Sequence, residues 1–185
     1  MSRRIVRAAT GVTLLIVTAI VMSEQAGFAQ GLVLKRAADQ NWGFGVDLGL
    51  LNGTTDRLVF ALGGNVDYYV AENLSVGPMV QIAPGADFTQ INSWAVAKLH
   101  FRTKYVDVAP FTGSGLTWAR VGVGRLRSKS DDEASLSMVL GLELQLGFIA
   151  NFAFAVSGMY AVYNLDFGEA GKDRGMGALM FGVRF

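Results

Sequence analysis

Residues 136–148 read LSMVLGLELQLGF. Leu136, Met138, Leu140, Leu142, Leu144, Leu146 and Phe148 share one parity, and Ser137, Val139, Gly141, Glu143, Gln145 and Gly147 share the other. Successive side chains of a strand point to opposite faces, so a period of two is the signature of a β-strand. Wound as a helix, the seven large residues would be scattered around the axis and define no face. Soluble strands usually run to about 5–6 residues, whereas a tilted strand crosses a bilayer in about 9–11. The stretch therefore predicts a membrane strand with a lipid-facing wall and a small or polar inner face, on which Glu143 is the one charge.

The rest of the chain agrees with that reading. It has 185 residues, 51% of them hydrophobic, with 23 Gly and no Cys. The absence of Cys excludes a disulfide framework and thiolate metal sites. The single long apolar run lies at the start. Arg3, Arg4 and Arg7 form a basic lead, Ala8–Met22 carries no charge, and Gly27-Phe28-Ala29 closes a small, polar stretch. This is the pattern of a secretory signal with cleavage after Ala29. The apolar part is shorter than the roughly 18–20 residues a spanning helix needs, and threonines dilute it. Residues 1–29 hold three of the 16 basic residues and one of the 15 acidic ones, so their removal leaves a net charge of −1. No basic field points to nucleic acid.

The expected organisation is a signal peptide over 1–29, a periplasmic lead-in over 30–40 and a barrel over 41–185. Within the barrel, alternating segments are expected at about 41–51, 57–70, 74–83, 91–102, 106–120, 136–148, 152–164 and 175–185. Asn52-Gly53 is a strong hairpin signal. Pro78 lacks an N–H for the ladder and weakens the third segment. Turns after the second, fourth and sixth segments are expected to be short. Those after the third, fifth and seventh are expected to be longer, with 121–134 the longest. Short turns at one end and longer loops at the other fit an outer-membrane barrel. The sheet must close, because lipid offers no partner to an edge. Trp42, Tyr68, Tyr105, Phe148, Phe152 and Phe185 fall at one end of the segments, and Phe60, Trp118 and Tyr160 nearer the other, as interfacial aromatic belts require.

Several stretches carry a family resemblance. These are the signal peptide, the eight alternating segments, YYVAENLSV at 68–76, APFTGSGL at 109–116 and the terminal Gly182-Val183-Arg184-Phe185. Together the chain resembles the small bacterial outer-membrane barrels of the OmpA, OmpX, OmpW and opacity-protein kind. The resemblance covers essentially the whole chain after residue 29. It implies an all-β, eight-stranded, antiparallel, closed transmembrane barrel in a Gram-negative outer membrane. It also implies that Phe181, Val183 and Phe185 form the signal read by the barrel-assembly machinery. Met180 stands where the family often has Gly.

The inward parity collects ionisable residues. Asp47, Lys98 and Glu143 are expected near mid-depth, and Asp67, His100 and Arg184 nearer the periplasmic end. An eight-stranded interior is just wide enough for side chains to fill, and buried charges are costly unless paired. The expectation is a plug with Lys98 on Asp47 or Glu143 and Arg184 on Asp67; a water-filled pore lining is the rival. Catalysis needs a nucleophile, a base and an orienting group. His100 is the single His, no Ser is close to it in sequence, and it lies at the wrong end for outer-leaflet chemistry, so no catalytic residue is expected. No cofactor and no metal are expected either.

Arg125, Arg127 and Lys129 lie in a loop of mixed charge. They are candidates for contact with lipopolysaccharide phosphates or a host surface, against the simpler reading of a solvated loop tip. The function expected is non-enzymatic. It is a structural or surface-exposed role, with adhesion or lipid contact through the loops, in a monomer facing outer-membrane lipid and lipopolysaccharide. The alternatives are a narrow channel or lateral path for small hydrophobic molecules or ions, and, less favoured, a lipid-modifying enzyme.

Overall fold

The computed structural model describes residues 41–52, 58–85, 88–103, 105–122, 130–149, 152–166 and 172–185. These residues form one antiparallel sheet of nine segments: β1 (Trp42–Asn52), β2 (Leu58–Ala71), β3 (Leu74–Pro84), β4 (Phe88–Leu99), β5 (Phe101–Arg102), β6 (Val106–Gly122), β7 (Ser130–Ile149), β8 (Phe152–Asp166) and β9 (Lys172–Arg184). β5 continues the line of β4 beyond a break at His100, and both pair with β6. The nine segments therefore make eight staves. Each stave pairs with its neighbours in sequence, and β1 pairs with β9 from Gly45–Arg184 to Asn52–Gly177. The Phe44 and Phe185 backbones exchange two further hydrogen bonds. The barrel is closed and antiparallel, as the alternation predicts.

The parity reading of 136–148 also holds. Leu136 is 81% exposed, and Met138, Leu142, Leu144 and Leu146 face outward with it, while Ser137, Val139 and Glu143 are buried. The same inversion runs round the wall. Phe44, Leu48, Phe60, Leu62, Val80, Phe154, Leu179 and Phe181 are exposed, while Asp47, Asn65, Asp67, Gln81, Asn92 and Lys98 are enclosed. An apolar outside and a polar inside is the arrangement that hydrocarbon selects. At the lower end, which carries the short β2–β3 and β7–β8 turns, Trp42 and Tyr68 pack with ring centroids 4.8 Å apart.

The structure corrects several boundaries. β7 begins at Ser130, so the fifth connection is shorter than expected, and β9 begins at Lys172. β4 begins at Phe88, which leaves three residues between it and β3. In each case the strand continues past the apolar alternation into polar sequence at the upper end. Arg120 and Asp132 face each other across β6 and β7 and pair bidentately at 2.7 and 2.9 Å. A strand that has left the hydrocarbon needs its ladder but no longer needs apolar side chains, so the pattern fades before the strand does.

Glycines set how closely side chains can pack inside. A Cβ on Gly141 would overlap the Phe111 ring, which lies over it from the neighbouring strand. A Cβ on Gly45 would overlap the Asn65 side chain and stand 2.7 Å from the Arg184 guanidinium, and one on Gly182 would overlap the Asp47 carboxylate. Small residues on the wall are what allow large or charged ones to fill the lumen.

The interior has two zones. The upper and middle lumen is mainly apolar, with Trp94, Val96, Phe111, Val139, Tyr163 and Met180 belonging to one buried cluster. Amides line part of it. Asn92 donates to Gln81 at 3.0 Å, Gln90 donates to Asn92 at 2.9 Å and to the Met176 sulfur at 3.0 Å, and Trp94 Nε1 donates to Ser137 at 2.8 Å. The lower lumen is charged.

Candidate functional site

Lys98, the next-to-last residue of β4, points inward near the lower end of that strand. Its Nζ donates to Asp67 Oδ2 at 3.1 Å and to Glu143 Oε2 at 3.3 Å. Arg184, the last residue of β9, spreads its guanidinium fork between two carboxylates. Nη1 reaches Asp47 Oδ1 at 2.8 Å, Nη2 reaches Glu143 Oε2 at 2.7 Å, and Nε reaches Glu143 Oε1 at 3.1 Å. Gln145 donates to Glu143 at 2.7 Å, and Asn65 donates to Asp67 at 2.8 Å. Lys98 and Glu143 are fully buried, and Asp67, Asp47 and Arg184 nearly so.

Glu143 is the hub, since both cations converge on it. Three carboxylates and two cations share one hydrogen-bonded cluster, and this near-balance is what makes buried charge tolerable. Arg184 is suited to the central place because its planar fork can serve two carboxylates at once. The arrangement differs from the sequence expectation in depth, since Asp47, Lys98 and Glu143 form one lower cluster with Asp67 and Arg184 instead of a separate mid-depth group, and in pairing. Arg184 pairs with Asp47 and Glu143, and Asp67 belongs to Lys98. The glycines explain the exchange: with no side chain at Gly45 or Gly182, the guanidinium can lie against β1 beside Asp47.

His100 sits at the break between β4 and β5, where its N–H bonds to the Asn73 carbonyl at 2.8 Å. The sequence suggested no partners for it; the structure supplies two. Ser75 Oγ lies 2.9 Å from Nε2, and Asp107 Oδ2 lies 2.8 Å from Nδ1. Ser75 Oγ also stands 3.5 Å from Asp67 Oδ1, which links this row to the Lys98 cluster. Arg102 Nε is 3.4 Å from Asp107 Oδ2, and its guanidinium lies 5.0 Å over the Tyr69 ring, which in turn packs on the imidazole. Strand parity alone could have found Ser75 and Asp107. Each shares the inward face of its strand with buried residues, Met79 on β3 and Phe111 on β6. Their distance from His100 in sequence hid the grouping.

Phe181 and Phe185 face outward and are exposed, with Val183 on the same face and half-buried. Arg125, Arg127 and Lys129 lie outside the described residues, as do 1–29 and 30–40. Chemically, the lower lumen holds paired charges in fixed positions, and the zone above it combines apolar side chains with amides that are bonded mainly to one another.

No protein-family model matches the chain, and no curated protein matches it in sequence. Solved structures do match. Neisserial surface protein A is 15% identical, with 78% of this chain and 96% of that one covered and a TM-score of 0.62. The N-terminal β-barrel domain of Pseudomonas aeruginosa OprF is 17% identical, with 79% and 98% covered and a TM-score of 0.49. The attachment invasion locus protein of Yersinia pestis is 17% identical, with 78% and 96% covered and a TM-score of 0.44. The likeness to the neisserial protein shows the fold: that of the small eight-stranded outer-membrane barrels.

Proposed function

We propose that the protein is an occluded outer-membrane barrel that works through its surface-exposed end, as a structural or adhesive element, and not by passing solute. The observation that carries this reading is the filled lumen. The Lys98–Glu143–Arg184 cluster closes its lower part, and the buried Trp94, Val96, Phe111 and Met180 close the zone above. An ion would have to shed water against apolar side chains and then displace paired charges, and each step is unfavourable. This role requires no catalysis.

The outer-membrane setting draws on the apolar exterior and the export signal read in residues 1–29. Residues 30–40 would then stay in the periplasm, with 41–185 as the barrel. Phe181, Val183 and Phe185, which share the outward face, would be the surface presented to the assembly machinery. The exterior wall would meet the acyl chains of outer-membrane lipid. A shallow depression over β3, β4 and β6, lined by Val76, Pro78, Ala95, Ala97, Thr112 and Ser114, would add to that contact. At the upper end the β6–β7 ladder continues to Gly122–Ser130 and would hold Arg125, Arg127 and Lys129 above the membrane, where phosphate-bearing lipopolysaccharide or a host surface would be their partner. The chain needs no second copy to complete its sheet, which favours a monomer.

Planar-bilayer conductance tests the reading. The wild type is expected to give no steady openings. Lys98→Met is expected to give none either, because the apolar zone remains. Stable, ion-selective openings that respond to Lys98→Met or Glu143→Gln would overturn it in favour of a narrow channel.

A further inference from the structure

We propose that Ser75, His100 and Asp107 form a nucleophile relay at the lower mouth of the barrel, reactive toward acyl esters that enter from that end. The proposal is independent of the surface role, which concerns the opposite end. It rests on three residues from three staves brought into one line. Ser75 Oγ is 2.9 Å from Nε2 of His100, and Nδ1 of the same ring is 2.8 Å from Asp107 Oδ2. Hydroxyl, imidazole and carboxylate in that order, each within hydrogen-bond reach, is the arrangement that activates a serine. The roles are separable. Ser75 is the nucleophile and His100 the base that touches the reacting atoms, while Asp107 is a positioning residue that fixes the ring.

One further feature favours this reading over simple polar packing. Asp107 Oδ1 is buried and has no hydrogen-bond partner among the described residues. A buried carboxylate oxygen without a partner is costly, and Asp107 keeps it while committing Oδ2 to the imidazole.

Access is controlled from below. Ser75 is the second residue of β3, beside the short β2–β3 turn, and it is fully buried. Tyr69, which packs against the imidazole, and Arg102, which lies over the Tyr69 ring, form the cover nearest the mouth. The Arg102 side chain is 20% exposed, so entry from below would have to displace it.

The reaction balances without a further reagent. The Ser75 O–H proton passes to His100 Nε2 as Oγ bonds to the ester carbonyl carbon. The carbon–alkoxide bond then breaks, and the leaving alcohol takes the proton from Nε2. Water repeats the sequence: it gives its proton to Nε2, attacks the acyl carbon and releases the acid, and Oγ regains its proton.

The test treats the refolded full-length barrel in detergent micelles with a fluorophosphonate probe, and maps the labelled residue by mass spectrometry. In parallel it measures hydrolysis of p-nitrophenyl butyrate. The expected result is labelling of the folded wild type at Ser75. Labelling should be abolished in Ser75→Ala and slowed at least tenfold in His100→Gln and Asp107→Asn, with ester hydrolysis falling alongside. Arg102→Ala should label faster, a change that a purely structural role would not produce. If the folded wild type stays unlabelled after a day and hydrolyses ester no faster than Ser75→Ala, the relay does not exist. The same holds if labelling occurs but is indifferent to His100→Gln and Asp107→Asn. The wild-type measurement decides the matter even if a variant fails to fold.

Discussion

Lys98→Met removes the cation that neutralises Asp67. In the wild type, Lys98 is fully buried and contacts Asp67 at 3.1 Å and Glu143 at 3.3 Å. Without it Glu143 still has three donors, two from Arg184 and one from Gln145. Asp67 is left with the Asn65 amide at 2.8 Å and the long Ser75 contact at 3.5 Å. The uncompensated charge therefore falls on Asp67. Removing one partner of a buried pair costs about 3–5 kcal/mol, and the one remaining guanidinium, that of Arg184, reaches Asp47 and Glu143 but not Asp67, so the upper part of that range is expected. Adding Asp67→Asn removes the stranded charge while keeping its shape. The double variant should thus be more stable than Lys98→Met alone, by about 2 kcal/mol if half the loss was uncompensated charge. Urea-induced unfolding of the barrel in lipid vesicles, followed by tryptophan fluorescence and by the shift in gel mobility between folded and unfolded forms, measures both. The reasoning fails if Lys98→Met lies within 1 kcal/mol of wild type, or if Asp67→Asn lowers stability further in its presence.

Other expectations follow from single positions. Gly49→Ala puts a methyl into the Leu179 carbonyl and 2.7 Å from Met180 Cα, backbone that cannot yield. It should cost about 1–3 kcal/mol, whereas Gly158→Ala, with open space around it, should stay within about 0.5 kcal/mol; the same urea titrations compare them. Ser137→Ala strands the Trp94 indole N–H, now bonded at 2.8 Å, and should cost about 1–3 kcal/mol with a change in the emission of that tryptophan. Asp132→Asn weakens an exposed, solvent-screened pair with Arg120 and should leave the urea midpoint essentially unchanged; a clear shift would mean that the upper ribbon is less solvated than its exposure implies.

The alternation of 136–148 decided the fold because hydrocarbon on one side and a narrow polar lumen on the other both act on every residue of the strand. The same rule assigned Asp47, Asp67, Lys98, Glu143 and Arg184 to the inside. It could not choose their partners. Arg184 reaches Asp47 instead of Asp67 because Gly45 and Gly182 leave space beside β1, a relation between three strands that no single alternation records. The upper ends of β7 and β9 were missed where Ser130–Glu133 and Lys172–Arg174 replace apolar residues with charged ones. The Ser75–His100–Asp107 row was hidden for a related reason: its members lie on separate staves, far apart in sequence.

The ladders of this barrel are unequal, and that gives it a direction of mechanical failure. β6 and β7 hold each other through 17 paired positions, from Val106–Leu146 to Gly122–Ser130. The closing seam of β1 with β9 has eight, from Gly45–Arg184 to Asn52–Gly177. Both ends of the described barrel, at Trp42 and at Arg184, lie on that seam. A load applied there would meet a ladder about half as long as that of β6 and β7, with the Arg184–Asp47 bridge acting as a clasp at its lower end. Under force the wall should tear along one line and unroll from it, with the β6–β7 ribbon the last part to come apart.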